Sequence, residues 1–459
     1  MTIGCSFQNG TIKDLFFLIL KEPEVLMKKM VKKICFVLIL LLISLSLAAM
    51  DFQGVLFADY YCRVEPTIGY ENLRGRLYYQ PRIIGSLFDY AIDYEISANL
   101  YYDFISDPHF INPENIIREA YISIPFDNFD ISIGQKYVSP GMTDVFSPLN
   151  VVNGEYAFKL SLDDPYEGKR ADALLQITYY PTYDDSIELV YVPVPRPDFE
   201  PTAPVHIADT NVDVDVVFDA DPYLLSNAHS IFLSYTHFDF GYDLQLSYAF
   251  YTDQTPNFDI SGLTYPGSGG GLSGDVTTVY SRNHTFGGAY GTSFKGIALV
   301  EEVAFNLTED FSGTEIGIKN SDITLNTQIT GTLWGGTLAQ LNIIYQYVIN
   351  FNKGVPLDDD SAEAVLAKEF NGFFNQPMEH IVFAIAHFQN SFFHDKLTVS
   401  LNAGLIYPDV YLAPRVGFAI TDGLQIAVGA DVKTGDPPAR ALARGNLMDN
   451  YYIRLKYEY

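Results

Sequence analysis

Charged and amide side chains recur in this chain at every second position of apolar, aromatic runs. Asp93, Glu95, Asn99 and Asp103 alternate with Ile92, Tyr94, Ile96, Leu100 and Tyr102. Gln340 stands between Ala339 and Leu341, and Asp431 and Lys433 alternate with Val428, Ala430 and Val432. In the last nine residues, Arg454 and Lys456 alternate with Tyr451, Ile453, Leu455, Tyr457 and Tyr459. Glu119, Lys136 and Arg415 occupy equivalent places in their own runs. A strand points successive side chains to opposite faces, so each run has one apolar and one charged face. Such rows of carboxylate, ammonium, guanidinium and amide groups assemble no nucleophile. They make a wall that holds water and ions. A packed core would not accept so many charges unless they were paired.

Other chemistries are weaker. Gly267-Ser-Gly-Gly-Gly-Leu-Ser-Gly274 lacks the Gly-Lys-Ser/Thr of a phosphate loop and reads as a surface loop. Asp209, Asn211, Asp213 and Asp215 alternate, and the first three match the opening of a calcium loop, but Val214 stands where that loop needs glycine and Ala220 where it needs glutamate. Weakly bound calcium there is set against a solvated acidic loop, and no other cofactor is expected. His380, His387 and His394 are spaced by seven, which mixes strand faces, and no HExxH occurs, so no metal centre is expected. His229-Ser230 and His284 have no nucleophile motif around them. The chain is not expected to be an enzyme.

The elements that position the charges follow from the same alternation. Segments of about ten alternating residues run from end to end, the pattern of an antiparallel transmembrane β-barrel. The expected strands are 53–70, 71–84, 87–104, 114–125, 128–138, 171–181, 185–195, 227–238, 241–254, 276–294, 297–308, 321–334, 337–351, 378–391, 395–407, 409–421, 424–433 and 449–459. That makes about 18. Pro66 and Pro81 weaken the first pair, so 16 stays open. Short turns rich in Gly and Asx fall at 126–129, 184–186, 239–241, 295–296, 335–336 and 421–423. Long connections lie near 139–170, 196–226, 255–275, 352–377 and 434–448. Short turns on one side and long loops on the other are the periplasmic and extracellular asymmetry of outer-membrane barrels. Residues 358–368 suit a short loop helix capped by Ser361 or an Asp. The closing strand, Tyr451, Ile453, Leu455, Tyr457 and Tyr459, ends on an aromatic residue with its apolar face toward lipid; in a soluble sandwich that face would be core.

The chain start indicates export. Lys28, Lys29, Lys32 and Lys33 precede an apolar run from Ile34 to Leu47 and the small pair Ala48-Ala49, the layout of a cleavable signal peptide over 27–49. Residues 1–26 do not fit this plan and are expected to lie upstream of a true start at Met27 or Met30. The single mature domain is then 50–459, with too little chain before the first strand for a plug. Cys62 alone survives cleavage, so no intramolecular disulfide forms in the mature chain. The formal charge is -28. Losing six Lys and three acids with the leader moves it to -31. That excludes general nucleic-acid binding.

A resemblance appears over 116–201. Ile117-Arg-Glu-Ala-Tyr-Ile-Ser123 leads by a tight hairpin into Ile131-Ser-Ile-Gly-Gln-Lys-Tyr137. Pro140-Gly141, Asp144-Val-Phe-Ser-Pro-Leu-Asn150, Asn153, Lys169-Arg170 and Leu189-Val-Tyr-Val-Pro193 follow. This order resembles porin-like outer-membrane barrels related to alginate-export proteins of diderm bacteria, without the basic residue between Gly134 and Gln135 and without a Trp before Gly141. By analogy with general porins, the loop at 139–170 folds inward and narrows the pore. Its constriction candidates are Asp144, Asn150, Asn153, Glu155, Asp163, Asp164, Glu167, Lys169 and Arg170. The alternative is a loop packed outside the barrel mouth. Acids facing bases across a narrow water path select by charge and size.

These features together imply a channel for small hydrophilic solutes, cation-preferring because of the acidic excess. Its expected partners are the lipid bilayer and, during insertion, the outer-membrane barrel-assembly machinery. Three alternatives stay open: a surface adhesin using the long loops, a transporter of hydrophobic solutes, and an outer-membrane enzyme. Oligomeric state and solute identity are not set by the sequence.

Overall fold

The computed structural model describes residues 50–63, 73–88, 91–103, 116–144, 146–153, 170–196, 205–209, 212–217, 228–264, 272–353, 361–374, 376–406, 409–434 and 450–459. The leader, residues 1–49, lies outside them.

Eighteen strands close into one antiparallel barrel. In chain order, β1 to β18 are Met50–Arg63, Leu73–Leu87, Ile92–Ala98 with its continuation Leu100–Asp103, Ile117–Pro125, Phe129–Lys136, Asp172–Tyr179, Asp185–Val192, Ser230–Asp239, Tyr242–Thr252, Arg282–Phe294, Ile297–Leu307, Asp322–Thr332, Leu338–Val348, His380–Phe392, Leu397–Ile406, Asp409–Thr421, Leu424–Thr434 and Asn450–Glu458. Each pairs with its chain neighbour, and β18 returns to β1 with Ala58 opposite Leu455 and Asp59 opposite Arg454. Full closure leaves no open edge, which is what a sheet in lipid requires.

Parity is kept around the ring. Ile453 is 51% exposed and its neighbours Tyr451, Leu455 and Tyr457 are also exposed, whereas Tyr452 and Arg454 are buried. Following the register strand by strand, the apolar set stays outward. Tyr183, Phe240, Phe294 and Trp334 mark the outward rim at the short turns. Tyr191, Tyr248, Phe250 and Tyr345 mark the opposite rim, giving the two aromatic girdles of a membrane barrel.

Of the two prolines set against the first pair, Pro66 lies outside the described residues and Pro81 does not interrupt the pairing. Pro81 sits opposite Gly54 in a continuous β1–β2 register. Gly54 exchanges two backbone hydrogen bonds of 3.1 Å with Tyr459. A Cβ on Gly54 would lie 2.4 Å from the Tyr459 hydroxyl, so glycine admits the terminal ring to the seam.

One expected strand is corrected. The alternation over 276–294 is two strands, because Leu272–Val279 leaves the barrel and Arg282 begins β10. Leu272–Val279 pairs in parallel with Val212–Val217, which pairs with Val205–Asp209; Asn257–Asp259 and Leu263–Thr264 complete this second sheet. Helix α1, Ala362–Phe373, packs on it, and Ser361 caps the helix by accepting from the Ala364 N–H at 3.3 Å. Three of the long connections thus build one module. Val214, Val216, Phe258 and Val276 bury against Leu366, Phe370 and Phe374. Phe258 stacks on Phe370 at 4.3 Å between centroids. Gln376 ties the module to β12 and the chain just before it: its amide bonds the Asn320 backbone in both directions at 3.0 and 2.9 Å and donates to the Asp322 carboxylate at 3.3 Å.

Phe370→Ala removes the centre of this core. It should cost about 3–5 kcal/mol of module stability. Limited proteolysis should then cut within 197–227 or 255–281 while the barrel stays protease-resistant; a digestion pattern unchanged from the native chain counts against an independent core.

Candidate functional site

The loop after β5 is built into the barrel interior. It leaves at Lys136, and Val138 and Val152 on either side of its excursion pack on the inward faces of β6 to β9, buried with Leu174, Val190, Phe232 and Tyr251. It then reaches β11, six strands away from β5 around the ring. There the buried Glu302 carboxylate accepts the Met142 N–H, the Thr143 N–H at 2.8 Å and the Thr143 hydroxyl at 2.9 Å. On β12, Gln328 and Asp144 bond reciprocally: the Asp144 N–H donates to Gln328 and the Gln328 amide donates back to the Asp144 carboxylate, both at 2.9 Å. Asn326 donates to the Thr143 hydroxyl at 3.1 Å and to the Phe146 carbonyl at 3.3 Å. Gln245 on β9 donates to the Pro140 carbonyl at 2.7 Å. Phe146 meets Phe383 of β14 edge to face at 5.8 Å.

Packing agrees with the hydrogen bonds. Leu149 is buried against Ala289 and Ala304. A Cβ on Gly287 would sit 2.2 Å from Leu149, so that wall position is emptied for the loop. Asn153 closes the base of the loop, accepting the Val138 N–H at 2.7 Å.

Of the loop candidates, Asp144 therefore lies on the β12 wall and Asn153 is buried at the base. The Asn150 N–H donates to the Ser147 carbonyl at 3.2 Å. Arg170 is buried beside the start of β6. Glu155, Asp163, Asp164, Glu167 and Lys169 lie outside the described residues.

The strand candidates fall on the inward parity. Glu95 takes a two-pronged bond from Arg82, at 2.7 and 2.8 Å, and a third from the Tyr121 hydroxyl at 3.1 Å. Asp93 accepts from Ser86 at 2.6 Å, Asn99 from Gln80 at 3.1 Å and Glu119 from the Tyr137 N–H at 3.0 Å. Lys136 donates to Gln176 at 2.7 Å and lies 4.9 Å from the centre of the Tyr121 ring. Asp431 accepts from Tyr411 at 2.9 Å, and Lys456 pairs with Glu458 at 2.5 Å. Arg415 reaches Gln425 at 3.5 Å, and Gln340 faces His387 across the ladder. Arg454 grips Asp59 at 2.7 and 3.2 Å. Asp103 and Lys433 hold register positions opposite Arg76 and Tyr411, and their side chains lie outside the described residues.

Sequence reasoning missed Glu302, Gln328, Asn326, Arg82 and Asp59. Glu302 had a signal that misleads: Glu301-Glu302 places two acids on successive, opposite faces, so neither could be assigned. Asp213 and Asp215, the calcium candidates, stand exposed on the strand Val212–Val217; Asn211 is outside the described residues, and no group of metal-ligating side chains occurs among the described ones.

No protein-family model matches this chain, and no curated sequence does. Several solved barrels align with it over most of its length. Pseudomonas aeruginosa OccK3 aligns with TM-score 0.49 and 6% identity over 89% of this chain and 95% of that one. Acinetobacter baumannii OccAB3 aligns with TM-score 0.48 and 10% identity over 89% and 99%. Salmonella typhi OmpF aligns with TM-score 0.43 and 9% identity over 90% and 98%.

Proposed function

We infer that the chain is an outer-membrane channel through which small hydrophilic solutes diffuse, with a preference for cations, and that it reaches that membrane by a cleavable signal over 27–49. The observation that carries the reading is the closed barrel with an apolar outward face, a charged inward face and a loop anchored across its interior. Water and ions are what such an interior accepts, because an apolar solute would leave its charges poorly solvated. In this reading the loop narrows the path. The carboxylates of Asp144 and Glu302 lie on one wall, and Arg82 and Arg454 are carried on β2 and β18 across the ring. The acidic excess of the chain favours cations, most strongly at low salt.

The mature protein in a planar bilayer should give steady open steps, and a salt gradient should give a reversal potential of cation-selective sign. A folded barrel without conductance overturns the channel. An anion-selective sign overturns the preference. The folded module over the long-loop end favours a second reading, surface recognition, which a closed barrel would bring forward.

A further inference from the structure

Glu301 breaks the rule that the rest of the outward face obeys. It is the fifth of the eleven residues of β11, midway between the short turn and the long connection. Its partners across the ladder are Tyr290 and Thr327, and its neighbours along the strand on the same face are Leu299 and Val303. Among the described residues, other acidic or basic groups on this face sit near strand ends: Asp185, His237 and Asp239 by the short turns, Arg118, Arg282, His284 and His380 by the long connections. A carboxylate at mid-depth on lipid-facing β-strands is destabilising unless protein covers it. Thr327 donates one hydrogen bond to it at 2.7 Å, and an ionised carboxylate accepts several more.

We propose that the outward face of β10 to β12 is the contact between two copies of this chain, with Glu301 at its centre. Copies inserted by one route share their orientation, so the axis relating them is parallel to the membrane normal and preserves depth. Whatever reaches Glu301 from a second copy must lie at the depth of Glu301. Tyr290 and Thr327 flank it as its register partners, and each carries a hydroxyl; strand tilt sets them a few ångströms to either side of its level, within the reach of a tyrosine side chain. The face therefore holds an acceptor and a donor within one side chain's reach in depth and is self-complementary, as a two-fold contact requires. The Tyr290 hydroxyl of one copy donates to Glu301 of the other. Gly288 on β10, opposite Val303, leaves the outward surface low beside it, which allows two sheets to approach. Lipid tails offer no donor, and headgroups do not reach this depth.

The contact rests on the membrane-spanning reading but not on conduction. The test uses the mature protein with Cys62→Ser. Val303→Cys should form an oxidation-linked species of twice the monomer mass in native membranes, and Val428→Cys, on the wall of β17, should not. Glu301→Leu should reduce the dimer fraction by about tenfold in bilayers, the size of one interhelical-type polar contact in lipid. Glu301→Leu should keep the conductance of each barrel. No linked species at 303, a linked species of another mass, or a dimer indifferent to Glu301→Leu overturns the proposal. A dimer without conductance upholds it while the channel reading fails.

Discussion

Removing residues 140–152 should raise the single-channel conductance severalfold, and Glu302→Ala should move it in the same direction with added current noise. Glu302 is buried and accepts two backbone amides and one hydroxyl from the loop. Hydrogen bonds to a charged acceptor contribute about 1.5–3 kcal/mol each. Their loss strands the Met142 and Thr143 amides inside the barrel, where an unsatisfied donor is costly. The bonds from Gln328, Asn326 and Gln245 persist, so the single substitution loosens the loop rather than freeing it. Glu302→Gln keeps one carbonyl acceptor at the same place and should fall between native and alanine. A shortened loop that leaves conductance unchanged in a folded barrel would show that it does not narrow the path.

The second large effect belongs to the seam. Arg454 of β18 and Asp59 of β1 form a forked pair whose side chains are 10% and 3% exposed. The guanidinium also lies 5.5 Å from the Phe57 ring centre and 5.6 Å from that of Tyr452. Breaking a buried pair by removing one partner costs about 3–5 kcal/mol. Arg454→Ala should therefore lower the urea midpoint of the folded barrel in detergent micelles and reduce refolding yield. Arg454→Lys keeps the charge without the planar fork and should recover part of the loss. Replacing both residues by leucine should recover more, since the remaining carboxylate is then removed with its partner. A midpoint unmoved by Arg454→Ala would mean that backbone pairing and the Gly54–Tyr459 contact alone hold the seam.

These two sites differ in how far the sequence shows them. Arg454 is legible, because Tyr451, Ile453, Leu455 and Tyr457 define the opposite face and leave Arg454 pointing inward. Asp59 is not, because nothing local says that the first strand closes on the last. Glu302 is hidden by Glu301, and its partners Met142 and Thr143 lie about 160 residues away in the chain.

The same boundary explains the strand assignments. Alternation is a local property of a strand with lipid on one side and water or polar side chains on the other. Eighteen strands, their inward parity and the helix behind Ser361 are therefore readable along the chain. Alternation alone cannot say which sheet a strand joins. Val212–Val217 and Leu272–Val279 show the same period whether they pair in the wall or above it, and hydrogen-bond partners distant in sequence place them in the module. The amino-acid sequence by itself determined the barrel, since period-two burial acts on each residue separately. Tertiary structure decided where the inner loop docks, how three long connections pair into one module and which charges meet, since those depend on contacts between residues distant in sequence.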